Sequence, residues 1–158
     1  MIRPYEPDDA TALWKLKQRF ETAMGDTDDD AKAAAYDAKL TDDYREGWLA
    51  WVHRCTDDED CLFVAEHDGE LVGYLFLLPE RLAFVWDAAV LNEVYVTPAF
   101  RGTGVADDLM ERGLDHAREQ SLPLDRLVLD VDGKNKRAKA FYERYDFTRW
   151  GEMVAREL

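Results

Sequence analysis

Arg101-Gly102-Thr103-Gly104-Val105-Ala106 places two glycines and one fixed positive charge between an alternating apolar run and an amphipathic helical pattern. Without a Cβ, glycine lets main-chain N–H groups come close to an anion. The first turn of a helix adds donors with no internal acceptor and a partial positive charge, which suits a pyrophosphate. Arg101 can supply a full charge beside them. No Gly-Lys-Ser/Thr ending follows, so this is not a P-loop, and the glycine spacing does not fit a dinucleotide fingerprint. Taken alone, a glycine turn before a helix is commonly only a turn.

Other constellations carry less. His53, Cys55, Cys61 and His67 contain no Cys-x-x-Cys unit and no closely paired histidines, so no metal site is expected. No Gly-x-Ser-x-Gly elbow is present for a serine hydrolase. Tyr36, Tyr44, Trp48, Trp51 and Trp86 could line a pocket, although helical spacing makes core packing the expected role of Trp48 and Trp51.

The elements that must position the glycine turn are readable on both sides of it. Ile2 to Tyr5 reads as an opening strand, and Pro7-Asp8-Asp9 as a turn capping a helix striped by Leu13, Leu16 and Phe20, with Trp14 beside them. Residues 25–40 read as a loop or a short helix. A second helix begins near Thr41-Asp42-Asp43 and carries Tyr44, Trp48, Trp51 and Val52. Cys61 to His67 and Glu70 to Leu78 flank Asp68-Gly69, a two-residue hairpin signal. After a connection over 79–87, Ala88 to Thr97 predicts a strand ending at Pro98. A helix over Gly104 to Gln120 follows, then a strand over Arg126 to Val131, a helix over Asn135 to Tyr145 and a last strand from Phe147 onward. This order predicts a mixed α/β layer structure in one domain over residues 1–158, not an alternating dinucleotide-binding fold.

Composition narrows the function classes. A chain of 158 residues that is 47% hydrophobic can bury a core as a single domain. Its net charge of −14 repels a phosphate backbone, so nucleic-acid binding is not expected. A solvated acidic surface adapted to a salt-rich cytoplasm is the simplest account of that charge; a cationic substrate is the sharper one. The longest apolar run, Leu71 to Leu78, is too short to span a membrane, and the first residues show no secretory pattern. With Cys55 and Cys61 read as reduced thiols, the expected location is the cytoplasm.

Arg101, Gly104 and Ala106 resemble the acyl-CoA signature of the GNAT superfamily of N-acetyltransferases: Arg or Gln, two residues, Gly, one residue, then Gly or Ala. Glu93-Val94-Tyr95-Val96 before it and the helix after it extend the likeness. A second match follows the next strand, where Asn135, Ala138, Tyr142 and Phe147 stand at that family's spacings. The resemblance implies a mixed, mostly antiparallel sheet flanked by helices, with two parallel central strands that splay apart. It also implies acetyl-CoA as cosubstrate, no metal, and an amine acceptor, either a small molecule or a protein amino group. Dimerisation is common in that family, so a homodimer is among the expected states.

By position, the family pattern assigns pantetheine to the main chain around Val94, Tyr95 and Val96, and pyrophosphate to Arg101, Gly102, Thr103, Gly104, Val105 and Ala106. It assigns Asn135 and Lys139 to the pantetheine or phosphate portion. Tyr142 would lie near the sulfur as general acid, its phenol donating to developing thiolate charge. An alkylamine is charged at neutral pH, so a carboxylate or a water chain must take its proton. Glu93 is the first candidate, because strand alternation turns it away from Val94 and Val96; Asp130 is the second, standing where ribosomal-protein acetyltransferases of the family carry a glutamate. A surface carboxylate, and for Tyr142 a packed aromatic, are the plainer roles. Asp107 and Asp108 in the first helical turn oppose a nearby pyrophosphate, while Asp132 and Asp146 replace positions often basic and glycine. A non-enzymatic acyl-CoA-binding sensor or interaction module of the same fold is the alternative function.

Overall fold

Asp68 and Gly69 take positive φ values of 51° and 80°, the backbone that a two-residue hairpin requires. They join β2 (Leu62–His67) to β3 (Glu70–Leu77) in antiparallel register. This hairpin is the centre of a five-stranded sheet in the order β1-β2-β3-β4-β5, with β1 at Ile2–Pro4, β4 at Ala89–Val96 and β5 at Leu127–Val128. The first four strands are antiparallel neighbours and β5 runs parallel to β4. The computed structural model describes residues 1–158, in two compact units, Met1–Val128 and Leu129–Leu158.

In the first unit, helices cover both faces of the sheet. Strand alternation sends Tyr74 and Phe76 to one face, where α1 (Ala10–Met24) and α3 (Asp42–Thr56) lie and Trp51 meets Phe76 with ring centroids 5.2 Å apart. Phe63 and Leu75 point to the other face, against α4 (Val105–Glu119). There Gly113 allows close approach, because a Cβ on it would stand 2.8 Å from Leu75 Cδ2. Residues 25–40 form α2 (Asp30–Asp37), capped by Asp29 accepting from the Ala31 and Lys32 N–H groups, and then a 3-10 turn at Ala38–Leu40. A second 3-10 segment, Glu80–Val85, occupies most of the connection before β4. No helix is long and apolar enough to cross a membrane.

The second unit holds α5 (Lys136–Arg144). Asn135 caps its start, accepting from the Ala138 N–H at 3.1 Å. Asp146 ends it with φ 66°, while the N–H groups of Asp146 and Phe147 return to the carbonyls of Glu143 and Tyr142. That is a Schellman closure with aspartate where glycine is usual, which explains how the helix tolerates the substitution.

Two strand expectations are corrected. The strand anticipated over 126–131 pairs only at Leu127 and Val128, and no strand forms from Phe147 onward. A strand needs a ladder partner and usually a buried face. Residues past Val128 have no ladder, and Trp150, Met153 and Val154 are exposed. In consequence β5 is an edge strand rather than a central one.

Candidate active site

The parallel pair β4–β5 is short. Ala89 and Val90 face Leu127 and Val128, after which β5 ends while β4 continues through Val96. The Thr97 N–H bonds to the Val72 carbonyl of the neighbouring antiparallel segment. Since main-chain polar groups alternate in direction along a strand, Val94 and Val96 turn theirs to the opposite, unladdered margin. Arg101 donates from Nε to the Val96 carbonyl there, at 3.1 Å, with its guanidinium 5.8 Å from the Tyr95 ring.

The glycine bend follows directly. Gly102 and Gly104 take φ values of 73° and 94°, and a Cβ at either would meet no atom within 4 Å. The bend is therefore open, and its glycines are present for backbone shape rather than for tight packing. Gly104 is the N-cap of α4, and Thr103 Oγ1 donates to the Phe100 carbonyl at 2.5 Å. Because the Asp108 N–H is the first to bond back, to Gly104, the Val105 and Ala106 N–H groups have no intrahelical acceptor. Those groups, the helix dipole and Arg101 make a cradle chemically suited to a diphosphate. Asp107 and Asp108 share the first turn and oppose an anion there.

On the face of β4 that α1 covers lies a buried ionic cluster. Glu93 Oε1 accepts from Lys17 Nζ, and Glu21 Oε1 accepts from the same ammonium at 2.5 Å. The three side chains are 6%, 2% and 1% exposed for Glu93, Lys17 and Glu21, so solvent contributes almost nothing to their stabilisation. Rings of Phe20, Tyr44 and Trp48 surround the ammonium at 5.4, 5.9 and 5.0 Å. Glu93 Oε2, Glu21 Oε2 and the Tyr74 hydroxyl are buried without a hydrogen-bond partner, although Lys39 Nζ stands 3.5 Å from Glu21 Oε2. Burial raises the Glu93 carboxyl above the usual range, with Lys17 opposing the shift. Burial would lower Lys17, but Glu93 and Glu21 outweigh it and hold the ammonium charged. Beside Glu21, a cavity of about 450 Å³ between α1 and α2 is lined by Asp26, Asp37, Thr22, Gly25 and Leu40.

The second unit carries the remaining candidates. Asp130 is exposed and outside any strand. Asn135 commits its Oδ1 to the helix cap, and Lys139 is exposed on α5. Tyr142 packs edge-on to Phe141 and Phe147, with centroids 5.6 and 5.7 Å apart, and burial pushes its phenol up to about 12. No three His, Cys, Asp or Glu side chains are grouped as a metal ion needs.

Residues 21–147 match the sequence profile of the Acetyltransferase (GNAT) family. The chain belongs to that family. Among similar proteins, an uncharacterized N-acetyltransferase of Archaeoglobus fulgidus is 36% identical over 98 residues, which cover 58% of this chain and 63% of that protein. A mycothiol acetyltransferase of Streptomyces griseus is 31% identical over 150 residues, 93% of this chain and 42% of that protein. This GNAT chain thus spans less than two thirds of either relative. The fold agrees as well. A ribosomal-protein-alanine N-acetyltransferase from Brucella melitensis superposes with a TM-score of 0.72 at 22% identity, covering 96% of this chain and 86% of that one. The PaiA N-acetyltransferase of Thermoplasma acidophilum, solved in complex with coenzyme A, gives 0.69 at 17% identity over 92% and 87%.

Lys17 and Glu21 are the members of the buried cluster around Glu93 that sequence reasoning missed. As a Lys–Glu pair one helical turn apart they look like a solvated surface pair. The signal lay in their phase, because positions 13, 16, 17, 20 and 21 fall on one helical face, so two charges interrupt the apolar stripe of this GNAT domain.

Proposed function

We propose that this chain transfers an acetyl group from acetyl-CoA to the nitrogen of a primary amine by direct attack, as a single cytoplasmic domain over residues 1–158. The observation that carries this reading is Glu93. One of its oxygens is pinned by Lys17, and the other is buried with no hydrogen bond. An unpartnered carboxylate oxygen is a proton acceptor of the kind this chemistry needs, which supports the reading.

On this reading the unladdered margin at Val94 and Val96 offers its main chain to the amides of pantetheine. Arg101 and the Gly102–Ala106 bend hold the diphosphate, and Asn135 and Lys139 contact the CoA arm. The acceptor ammonium gives a proton to Glu93 and, as a neutral amine, attacks the acetyl carbon; the carbon–sulfur bond breaks as Tyr142 gives its proton to the leaving sulfur, and the second proton lost by nitrogen restores the Tyr142 phenol. A phenol raised to about 12 keeps its proton at neutral pH, as a donor must. Asp130, exposed and outside a strand, is the weaker base candidate. The cavity beside Glu21, with Asp26 and Asp37 on its wall, favours a cationic acceptor.

Thiol release from acetyl-CoA is the test, measured with a panel of amines, amino acids and peptides in low and high salt. Acceptor-dependent release that falls at least a hundredfold in Glu93→Gln supports the reading. CoA binding with no release for any acceptor would leave an acyl-CoA sensor instead.

A further inference from the structure

A lysine locked between two buried carboxylates is costly to bury, and apolar residues of the same volume would often stabilise the fold as well or better, so stability alone does not account for the cluster. Here the cluster includes the carboxylate read above as the base. We infer that Lys17 is a positioning residue for Glu93: its ammonium, anchored by Glu21 and three aromatic rings, holds Oε1 and opposes the protonation that burial favours, leaving Oε2 without a hydrogen bond. This inference rests on the acetyltransferase reading and assigns the device that makes its base work.

The groups facing Glu93 come from every element packed against it. From α1 come Lys17, which stabilises the carboxylate, and Glu21, which repels it. Lys39, in the 3-10 turn after α2, adds a weaker attraction. Tyr44 of α3 and Tyr74 of β3 contribute neutral hydroxyls, both raised, chiefly by burial. At near-complete burial the carboxylate would otherwise protonate and cease to be a base. Lys17 is the largest opposing influence, and Glu21 works in the other direction while also fixing the ammonium by a 2.5 Å hydrogen bond. The competence of the base is therefore set by two residues of opposite sign on one helix, one turn apart.

The arrangement predicts shifts of opposite sign in the acid limb of the kcat/KM–pH profile. Lys17→Met removes the attraction, so the limb moves to higher pH, with roughly tenfold loss of activity below it for each unit moved. Glu21→Gln removes the repulsion, so the limb moves to lower pH. Lys17→Arg restores the wild-type limb. A residue that merely supports the fold would lower the whole profile without moving it, and unmoved limbs in both variants overturn the inference. Should Lys17→Met not fold, Glu21→Gln alone still decides through its sign. An activity-independent readout separates this from failure of the acetyltransferase reading. In Lys17→Met at neutral pH, infrared difference spectra should gain the carbonyl band of a protonated carboxylic acid, and lose it in Lys17→Met/Glu93→Gln. If thiol release is absent for every amine yet that band appears, the ionisation device stands and the function is wrong. If release occurs but neither limb nor band changes, the function stands and the device is wrong.

Discussion

Arg101 and Val96 are joined by a 3.1 Å hydrogen bond from Nε to the main-chain carbonyl, which ties the glycine bend to the margin of β4. One side chain thus serves two functions, fixing the bend and bringing positive charge to it. Arg101→Met should raise KM for acetyl-CoA by roughly 10- to 100-fold, the loss expected for one charged hydrogen bond, with a smaller change in kcat. Steady-state kinetics with acetyl-CoA varied would show it, and an unchanged KM would remove Arg101 from the CoA site.

Two glycines are expected to fail differently when replaced by alanine. At Gly104 the added methyl meets open space, so the cost is only that of φ 94°, about 1–2 kcal/mol. At Gly73 the new Cβ would stand 2.8 Å from the Tyr95 carbonyl oxygen, main chain that cannot swing aside, so β4 must shift at about 1–3 kcal/mol. Urea melts should show both losses. Glu93 chemistry should suffer in Gly73→Ala alone, because only there is β4 displaced, and kcat distinguishes the two variants.

Acid should weaken the fold partly through Glu59. Burial raises this carboxyl, but hydrogen bonds from His116 at 2.7 Å, the Glu80 N–H at 2.9 Å and Gln120 at 2.7 Å outweigh burial and lower it below the usual range. A group whose folded value is depressed stabilises the protein above its unfolded value, about 4.3 for glutamate, and loses that contribution as pH falls through the folded value. Denaturant melts from pH 7 downward should therefore fall more steeply for the parent than for Glu59→Gln. Parallel curves would show that Glu59 takes no part.

Cys55 and Cys61 should be silent to thiol reagents until the chain unfolds. Both are buried, and burial pushes the Cys61 thiol up to about 12, so almost no thiolate is available at neutral pH. Labelling followed across a urea titration should coincide with the loss of fluorescence from Trp14 and Trp48. Fast labelling of the native protein would contradict the burial.

The parts of this protein legible in its sequence are those with local causes. Asp68-Gly69 names its hairpin because few dipeptides accept that backbone, and Gly102 with Gly104 names the bend for the same reason. Glu93 was singled out by its place in the family pattern, with strand alternation turning it away from Val94 and Val96. Lys17 was not, because its partner lies on a strand 76 residues away: helical phase places Lys17 and Glu21 on the buried face but does not name the carboxylate they meet. The strand expected from Phe147 failed for a related reason: alternation proposes a strand, but only a partner can complete it.

Because β5 stops at Val128, the outer margin of β4 is a row of peptide groups without a neighbouring strand. Bare margins of this kind recruit other chains. A ligand whose own amides cap that row protects the polypeptide as well as reacting on it, so shelf life and tendency to clump should track how fully the enzyme is loaded with coenzyme.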